Sequence, residues 1–150
     1  MHRKLKENWL LIAIFFLCVT LDQVTKYWAK GLESDIEIIP DFFYFSFVEN
    51  KGIAFGIPFT GLAQKISSLI LFAVLIYFSK SLDIKKTKTK ILLGVLFGGI
   101  VGNLLDRFLR PGGVIDFIDF SFFPAFNLAD SFISVGVFTF FIFHEKFLAK

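Results

Sequence analysis

The stretch Trp9-Leu10-Leu11-Ile12-Ala13-Ile14-Phe15-Phe16-Leu17-Cys18-Val19-Thr20-Leu21-Asp22-Gln23-Val24-Thr25-Lys26-Tyr27-Trp28 decides how the chain is read. It is long and apolar enough to cross a bilayer as one helix, and a tryptophan stands at each end. At about 1.5 Å per residue the two indoles lie roughly 28 Å apart, close to the ~30 Å thickness of the hydrocarbon. On the same ruler Asp22 lies ~9 Å inside the second indole. A charge at that depth is costly, so it is kept for a function or tightly paired. The preceding His2-Arg3-Lys4-Leu5-Lys6 resembles the start of a secretory signal. No small-x-small cleavage site follows, so the span is read as retained.

Three further segments qualify, giving spans at about 9–28, 62–79, 91–109 and 126–145. The 150 residues are 55% hydrophobic, 23 of them Phe, with a mean hydropathy of +0.70, too apolar for a water-soluble globule. The net charge of +3 is small, and the basic residues cluster as topology signals rather than as a nucleic-acid footprint. Arg3, Lys4 and Lys6 precede the first span, Lys80 to Lys90 join the second to the third, and Lys146 and Lys150 follow the fourth. Four spans put these groups on one side, which should be the cytoplasm, with both termini there. Segments 29–61 and 110–125 are then external. The expected fold is an all-α integral membrane protein, one membrane domain over residues 1–150, with four transmembrane helices and a small extracytoplasmic β-rich cap.

The cap is expected around 37–50, an aromatic and β-branched run bounded by Pro40 and Gly52. Simple alternation would put Phe43, Phe45 and Phe47 on one face and Tyr44, Ser46 and Val48 on the other. In the third span Gly94, Gly98 and Gly102 recur every four residues and form a groove for a close-packed helix; the expected partner lies within the monomer, with dimerisation the alternative. Cys18 reads as packing.

Five acids, Asp22, Asp106, Asp116, Asp119 and Asp130, lie in or beside these apolar segments. Asp22 and Lys26, four apart on a helix, should meet as an ion pair, structural rather than catalytic. Asn103, Asp106 and Arg107 can form a network at the end of the third span, and the Arg107 fork suits a carboxylate, a carbonyl or a lipid headgroup. After the helix-breaking Pro111-Gly112-Gly113, alternation turns Asp116 and Asp119 to opposite faces, so one of the two serves the site. Asn127 can cap the fourth helix, with Asp130 in its first turn. Asp116 and Asp130 thus flank a short loop between two spans. Two carboxylates brought together cannot both ionise easily; such a pair can activate a water and protonate a departing amine. Other hydrolytic chemistry is poorly supplied. His2 and His144 fall on the other side, which leaves no histidine-rich zinc site, and Ser131 and Ser134 have no histidine base.

Five motifs, in order, carry a resemblance: Leu21-Asp22-Gln23-Val24-Thr25-Lys26; Val48-Glu49-Asn50-Lys51-Gly52-Ile53-Ala54-Phe55-Gly56; Gly102-Asn103-Leu104-Leu105-Asp106-Arg107; Val114-Ile115-Asp116-Phe117-Ile118-Asp119; and Phe126-Asn127-Leu128-Ala129-Asp130-Ser131. Together they closely resemble lipoprotein signal peptidase, or signal peptidase II, over nearly the whole chain. The resemblance implies an aspartic endopeptidase of the bacterial inner membrane. Its substrates are prolipoproteins, cut just before a cysteine that carries diacylglycerol. By motif, Asp116 and Asp130 are the implied catalytic acids. Asp22, Lys26, Asn50, Gly52, Asn103, Asp106, Arg107, Asn127 and Ala129 match the family's supporting and substrate-binding positions. The family implies no metal or organic cofactor and inhibition by globomycin-like peptides. The partners expected of this chain are the prolipoprotein substrate and membrane lipids, with no nucleic acid, and the expected state is a monomer. Lys51 and Ile53 stand where smaller residues are common in the family, the 119–127 stretch is short and the 110–113 turn slightly long; these differences bear on loop shape and substrate preference. The rival readings are a proton-linked transporter, which would spread its acids through the membrane depth, and a non-catalytic assembly protein docking through the glycine stripe.

Overall fold

A computed structural model describes residues 2–52 and 61–148, with side chains from residue 7 onward. The elements run α1 (His2–Lys30), β1 (Ile36–Ile39), β2 (Phe43–Asn50), α2 (Leu62–Ser79), α3 (Thr87–Leu109), β3 (Val114–Phe120), β4 (Phe123–Phe126) and α4 (Leu128–Phe143), then a 3-10 turn at His144–Lys146. The four helices are long and apolar enough to cross a membrane. Several bounds differ from those expected: α1 runs from His2 to Lys30 rather than over 9–28, and α4 ends at Phe143 rather than 145. The third helix starts at Thr87 rather than 91, because lysines are good helix formers and the expected start had been set by charge alone. The fourth starts at Leu128 rather than 126. Pro124 holds the chain extended before it, and 123–126 pair with β3 as a strand. The Asn-Gly motif's Ile53, Ala54, Phe55 and Gly56 lie outside the described residues.

Helix α3 is the centre of the bundle, and more than half of its apolar stretch is buried. Its glycines decide how near the neighbours come. A Cβ on Gly94 would lie 2.9 Å from the Ile14 Cβ, one on Gly98 2.6 Å from the Cys18 Cβ, and one on Gly102 2.5 Å from the Asp22 Oδ2. Both partners advance by four residues, so the stripe is occupied along its length by α1. The groove is therefore filled within the chain, as expected, and Cys18 is buried in it. Gly99 faces α4, where its Cβ would lie 2.7 Å from the Ala129 carbonyl. Elsewhere the helices leave large apolar side chains uncovered, among them Ile70, Val74, Phe138 and Ile142. Such a surface is costly in water and suits acyl chains.

The two ends of the bundle differ in chemistry. At one end Lys86 Nζ donates to the Leu148 carbonyl at 2.8 Å, Lys90 Nζ donates to the Glu7 carbonyl, and Leu82 bridges Leu148. This brings the start of α1, the lysine-rich α2–α3 turn and the C-terminal residues together. The other end carries one antiparallel sheet in the order β1-β2-β3-β4. Trp28 anchors it, its ring edge-on to Phe45 at 5.4 Å and to Phe117 at 6.3 Å. The sheet unites the two segments expected to lie on the same side.

Alternation along β2 does not hold throughout. Phe45 pairs with Ile118 and Val48 with Asp116, so β2 has one residue more than β3 between those pairs. This bulge changes the facing of everything beyond it. Phe43 and Phe45 meet edge to face within the aromatic cluster, while Phe47 is exposed. Val48 and Asn50 thereby come into register with Asp116 and Val114.

Candidate active site

The polar residues of the motifs join into one hydrogen-bonded chain, beginning at Lys26 on α1. Its ammonium is fully buried and has three acceptors, Asp22 Oδ2 at 2.8 Å, Asp106 Oδ2 at 2.9 Å and Asn103 Oδ1 at 3.0 Å. Three N–H groups meet three oxygens, so no donor is left over. Asp22 also accepts from the Ala129 backbone N–H at 3.0 Å, tying α1 to the first turn of α4. Asp106 also accepts from Arg110 Nε at 3.0 Å and Gln23 Nε2 at 3.1 Å. Two cations and two carboxylates balance, which makes burial of the group tolerable.

The Lys26 ammonium fixes the next link. Because it donates to Asn103 Oδ1, the Asn103 amide group turns its nitrogen outward and donates to Asp130 Oδ1 at 2.8 Å. Asn127 Nδ2 meets the same Asn103 oxygen at 3.1 Å, the Ile115 carbonyl at 3.2 Å and Asp116 Oδ1 at 2.6 Å. Its own oxygen accepts the Asp130 backbone N–H at 3.0 Å, and Asp130 Oδ2 accepts the Asn127 N–H at 3.3 Å, a reciprocal cap at the start of α4. On the far side Asn50 Nδ2 donates to Asp116 Oδ2 at 2.8 Å, and Asn50 Oδ1 accepts from the Gly52 N–H at 2.8 Å. Each of the two acids is thus gripped at both oxygens by amide N–H groups. Neither forms an ion pair within 4.0 Å among the described residues.

Asp116 and Asp130 open into one cavity of about 520 Å³, with Asn50 beside them. Strand β4 forms one wall through Phe123, Pro124, Ala125 and Phe126, and α4 forms the other. The cavity is apolar apart from the acids, Asn50 and two serines, the usual make-up of a ligand pocket. Burial pushes the Asp116 carboxyl up to about 6; the nearby Asp130 charge adds to this, while the Asn50 and Asn127 hydrogen bonds oppose it. A carboxyl with that value exchanges its proton near neutral pH, as general acid–base work requires. Among the described residues no group of three or more His, Cys, Asp or Glu side chains converges as metal ligands would.

The structure sorts the residues singled out from sequence. Asp116, Asp130 and Asn50 reach the cavity. Asn103 and Asn127 lie directly behind the acids, and Asp22, Lys26, Asp106 and Ala129 form the buried support. Asp119 turns away from Asp116 and accepts from Ser46 at 3.1 Å, as the alternation required. Gly52 lies outside the cavity, and its carbonyl accepts from Gln64 Nε2 at 2.6 Å. Arg107 also lies outside it; the arginine lines two neighbouring pockets instead. Sequence reasoning missed Gln23 and Arg110 as members of the support, and Ser131, Ser134 and Val135 as cavity wall. Helical spacing held the signal for Ser134, four residues after Asp130.

Comparison with known proteins agrees with this geometry. The model of the family described as signal peptidase (SPase) II matches residues 14–145. A lipoprotein signal peptidase of Clostridium tetani is 41% identical over 146 residues, covering 90% of this chain and 92% of that protein. One of Caldanaerobacter subterraneus is 43% identical over 130 residues, covering 83% and 88%. A bacterial membrane enzyme solved by the in meso method at 2.3 Å superposes with a TM-score of 0.73 at 33% identity, over 91% of this chain and 87% of that one. With sequence and fold similar along nearly its whole length, the chain belongs to the signal peptidase II family.

Proposed function

We propose that this protein is an intramembrane aspartic endopeptidase that removes signal peptides from bacterial prolipoproteins, cutting before a diacylglyceryl-modified cysteine. Asp116 and Asp130 are its catalytic acids. The observation that carries this reading is the pair of carboxylates gripped by asparagines and opening into one largely apolar cavity. A water held between them gives a proton to one carboxylate as its oxygen attacks the scissile carbonyl. The other carboxyl, protonated at that moment, gives its proton to the departing amine. The amide grips hold both side chains without supplying a permanent positive charge that would keep both ionised. The dyad therefore titrates as a unit.

The lysine-rich end lies in the cytoplasm with both termini, and the sheet rests on the outer face of the cytoplasmic membrane. There the precursor's acyl chains stay among the lipids while its extended peptide passes between Asn50, at the end of β2, and β4, across the two acids. The enzyme works as a monomer without a metal or organic cofactor, and a globomycin-like cyclic peptide occupies the same cavity. The test is cleavage of a synthetic diacylated precursor by purified protein. Asp116→Asn and Asp130→Asn should each fold and show almost no product. Normal turnover by either variant removes that acid from the reaction.

A further inference from the structure

A second cavity, of about 190 Å³, lies beside the first and is not used by the proposed chemistry. Asn50 lines the acid cavity, and the next residue, Lys51, lines this one. Lys65, Arg107 and Arg110 complete a set of four cations, with no carboxylate among the described lining. Two of the cations face acids: Arg110 pairs with Asp106, and Arg107 lies in the field of Asp130, Asp116 and Asp106. Arg107 donates through Nη1 to the Asn103 carbonyl at 3.3 Å, but its Nε is buried and has no partner among the described residues. A buried guanidinium nitrogen without an acceptor is costly and marks a place where an acceptor belongs. Helix α2 also starts at this cavity. Its N-cap Gly61 supplies no side-chain cap, so the first backbone N–H groups of an 18-residue helix add their partial positive charge to the same space.

The position narrows the ligand. The cavity lies where α3 ends and α2 begins, at the sheet end of the bundle, which is the depth of lipid headgroups for helices of spanning length. Exposed apolar side chains flank it, with Leu62 and Ile66 on α2 and Phe108 and Leu109 on α3. Lys65 Nζ stands 5.3 Å from the Phe108 ring centre, so charge and apolar surface meet at its edge. Cations gathered opposite the lysine-rich end run against the usual charge asymmetry of membrane proteins and call for an anionic partner. A free acidic side chain would satisfy the charge but would make no use of the apolar flank; a phosphate ester carrying acyl chains uses both.

We propose that this pocket binds the phosphate of a membrane phospholipid, with the acyl chains laid along α2 and the end of α3. The inference does not rest on the peptidase reading. The test titrates full-length protein in neutral detergent with phosphatidylglycerol, with diacylglycerol of the same chain length and with inorganic phosphate, using native mass spectrometry. Lys51→Gln/Lys65→Gln should weaken phosphatidylglycerol binding about 30-fold, the loss expected for two lysines beside a lipid phosphate. Diacylglycerol association should not change, and Lys51→Arg/Lys65→Arg should retain lipid binding. Cleavage of a precursor without acidic residues should proceed at the wild-type rate, which shows that the variant is folded. Equal lipid binding by the glutamine variant and wild type overturns the proposal, as does displacement of the lipid by an equal concentration of inorganic phosphate. So does a selective loss of turnover on precursors with an acid near the cut while lipid binding is intact, which would assign the pocket to the peptide.

Discussion

Replacing Lys26 by Met tests the physical core of the site most directly. The substitution keeps most of the side-chain volume and removes three donors together. Asp22 Oδ2, Asp106 Oδ2 and Asn103 Oδ1 lose partners at 2.8, 2.9 and 3.0 Å. The four-charge group, neutral in the native protein, is left with Arg110 against two buried carboxylates. Breaking a buried pair by removing one partner costs roughly 3–5 kcal/mol, because the remaining charge has no compensation. Here the cost should lie near the lower end. Asp22 keeps the Ala129 N–H and Gln23, and Asp106 keeps Arg110 and Gln23. Adding Asp22→Asn to Lys26→Met restores neutrality. The double variant should recover at least ~1 kcal/mol of that loss, so the two substitutions should be non-additive as direct contact requires. The assay is unfolding in mixed detergent micelles for the wild type, both single variants and the double. A second readout separates scaffold from site. Without the ammonium, Asn103 has no reason to keep its nitrogen towards Asp130, so precursor cleavage by folded Lys26→Met should fall even below its unfolding range. A single variant within ~1 kcal/mol of wild type, or a double variant less stable than the single, would refute the argument that charge balance holds this network.

Further outcomes follow from the same geometry. The Asp116 carboxyl rises from its ordinary 3.8 to about 6 on folding, so the folded protein binds the proton more tightly than the unfolded chain does. Its contribution is fully present below about pH 4 and is lost as pH rises through 6, a difference of ~3 kcal/mol. Asp116→Asn removes this titration. Its stability relative to wild type should therefore climb between pH 4 and pH 8 in detergent unfolding, and a flat difference would count against the buried acid. Gly98→Val puts a branched side chain where even a Cβ would lie 2.6 Å from Cys18, and should destabilise the α1–α3 packing by ~1–3 kcal/mol or more. A variant as stable as wild type in the same assay would contradict the close approach. Asn127→Ala removes the cap of α4 and the 2.6 Å grip on Asp116; cleavage should fall steeply while stability drops ~1 kcal/mol, and intact turnover would show that Asp116 needs no such hold.

Much of the architecture was readable from local pattern. Spans of twenty or so apolar residues must satisfy their own backbone hydrogen bonds in lipid, and helix is the state that does so within one segment. That is why the four helices lie close to where hydropathy put them. Helical spacing alone brought Asp22 to Lys26, and capping chemistry alone put Asp130 in the first turn of α4. The sheet was less legible. Its register depends on a bulge between Phe45 and Val48 that no period-two pattern announces, and β4 lay almost wholly in the external stretch 110–125, where no second strand was read.

The sequence by itself determined which acids lie beside apolar segments and which motifs carry them, because hydropathy and helical spacing act over a few neighbouring residues. The tertiary structure alone decided what each acid touches. Asp106 became scaffold and Arg107 was kept out of the acid cavity, while Asn103 and Asn127 became the grips on the dyad. The reason is distance along the chain. Lys26 meets Asn103 across 77 positions, and Asn50 meets Asp116 across 66. Which way an amide turns, and which carboxylate keeps a counter-ion, is set only when α1, α3, α4 and the sheet are packed against one another.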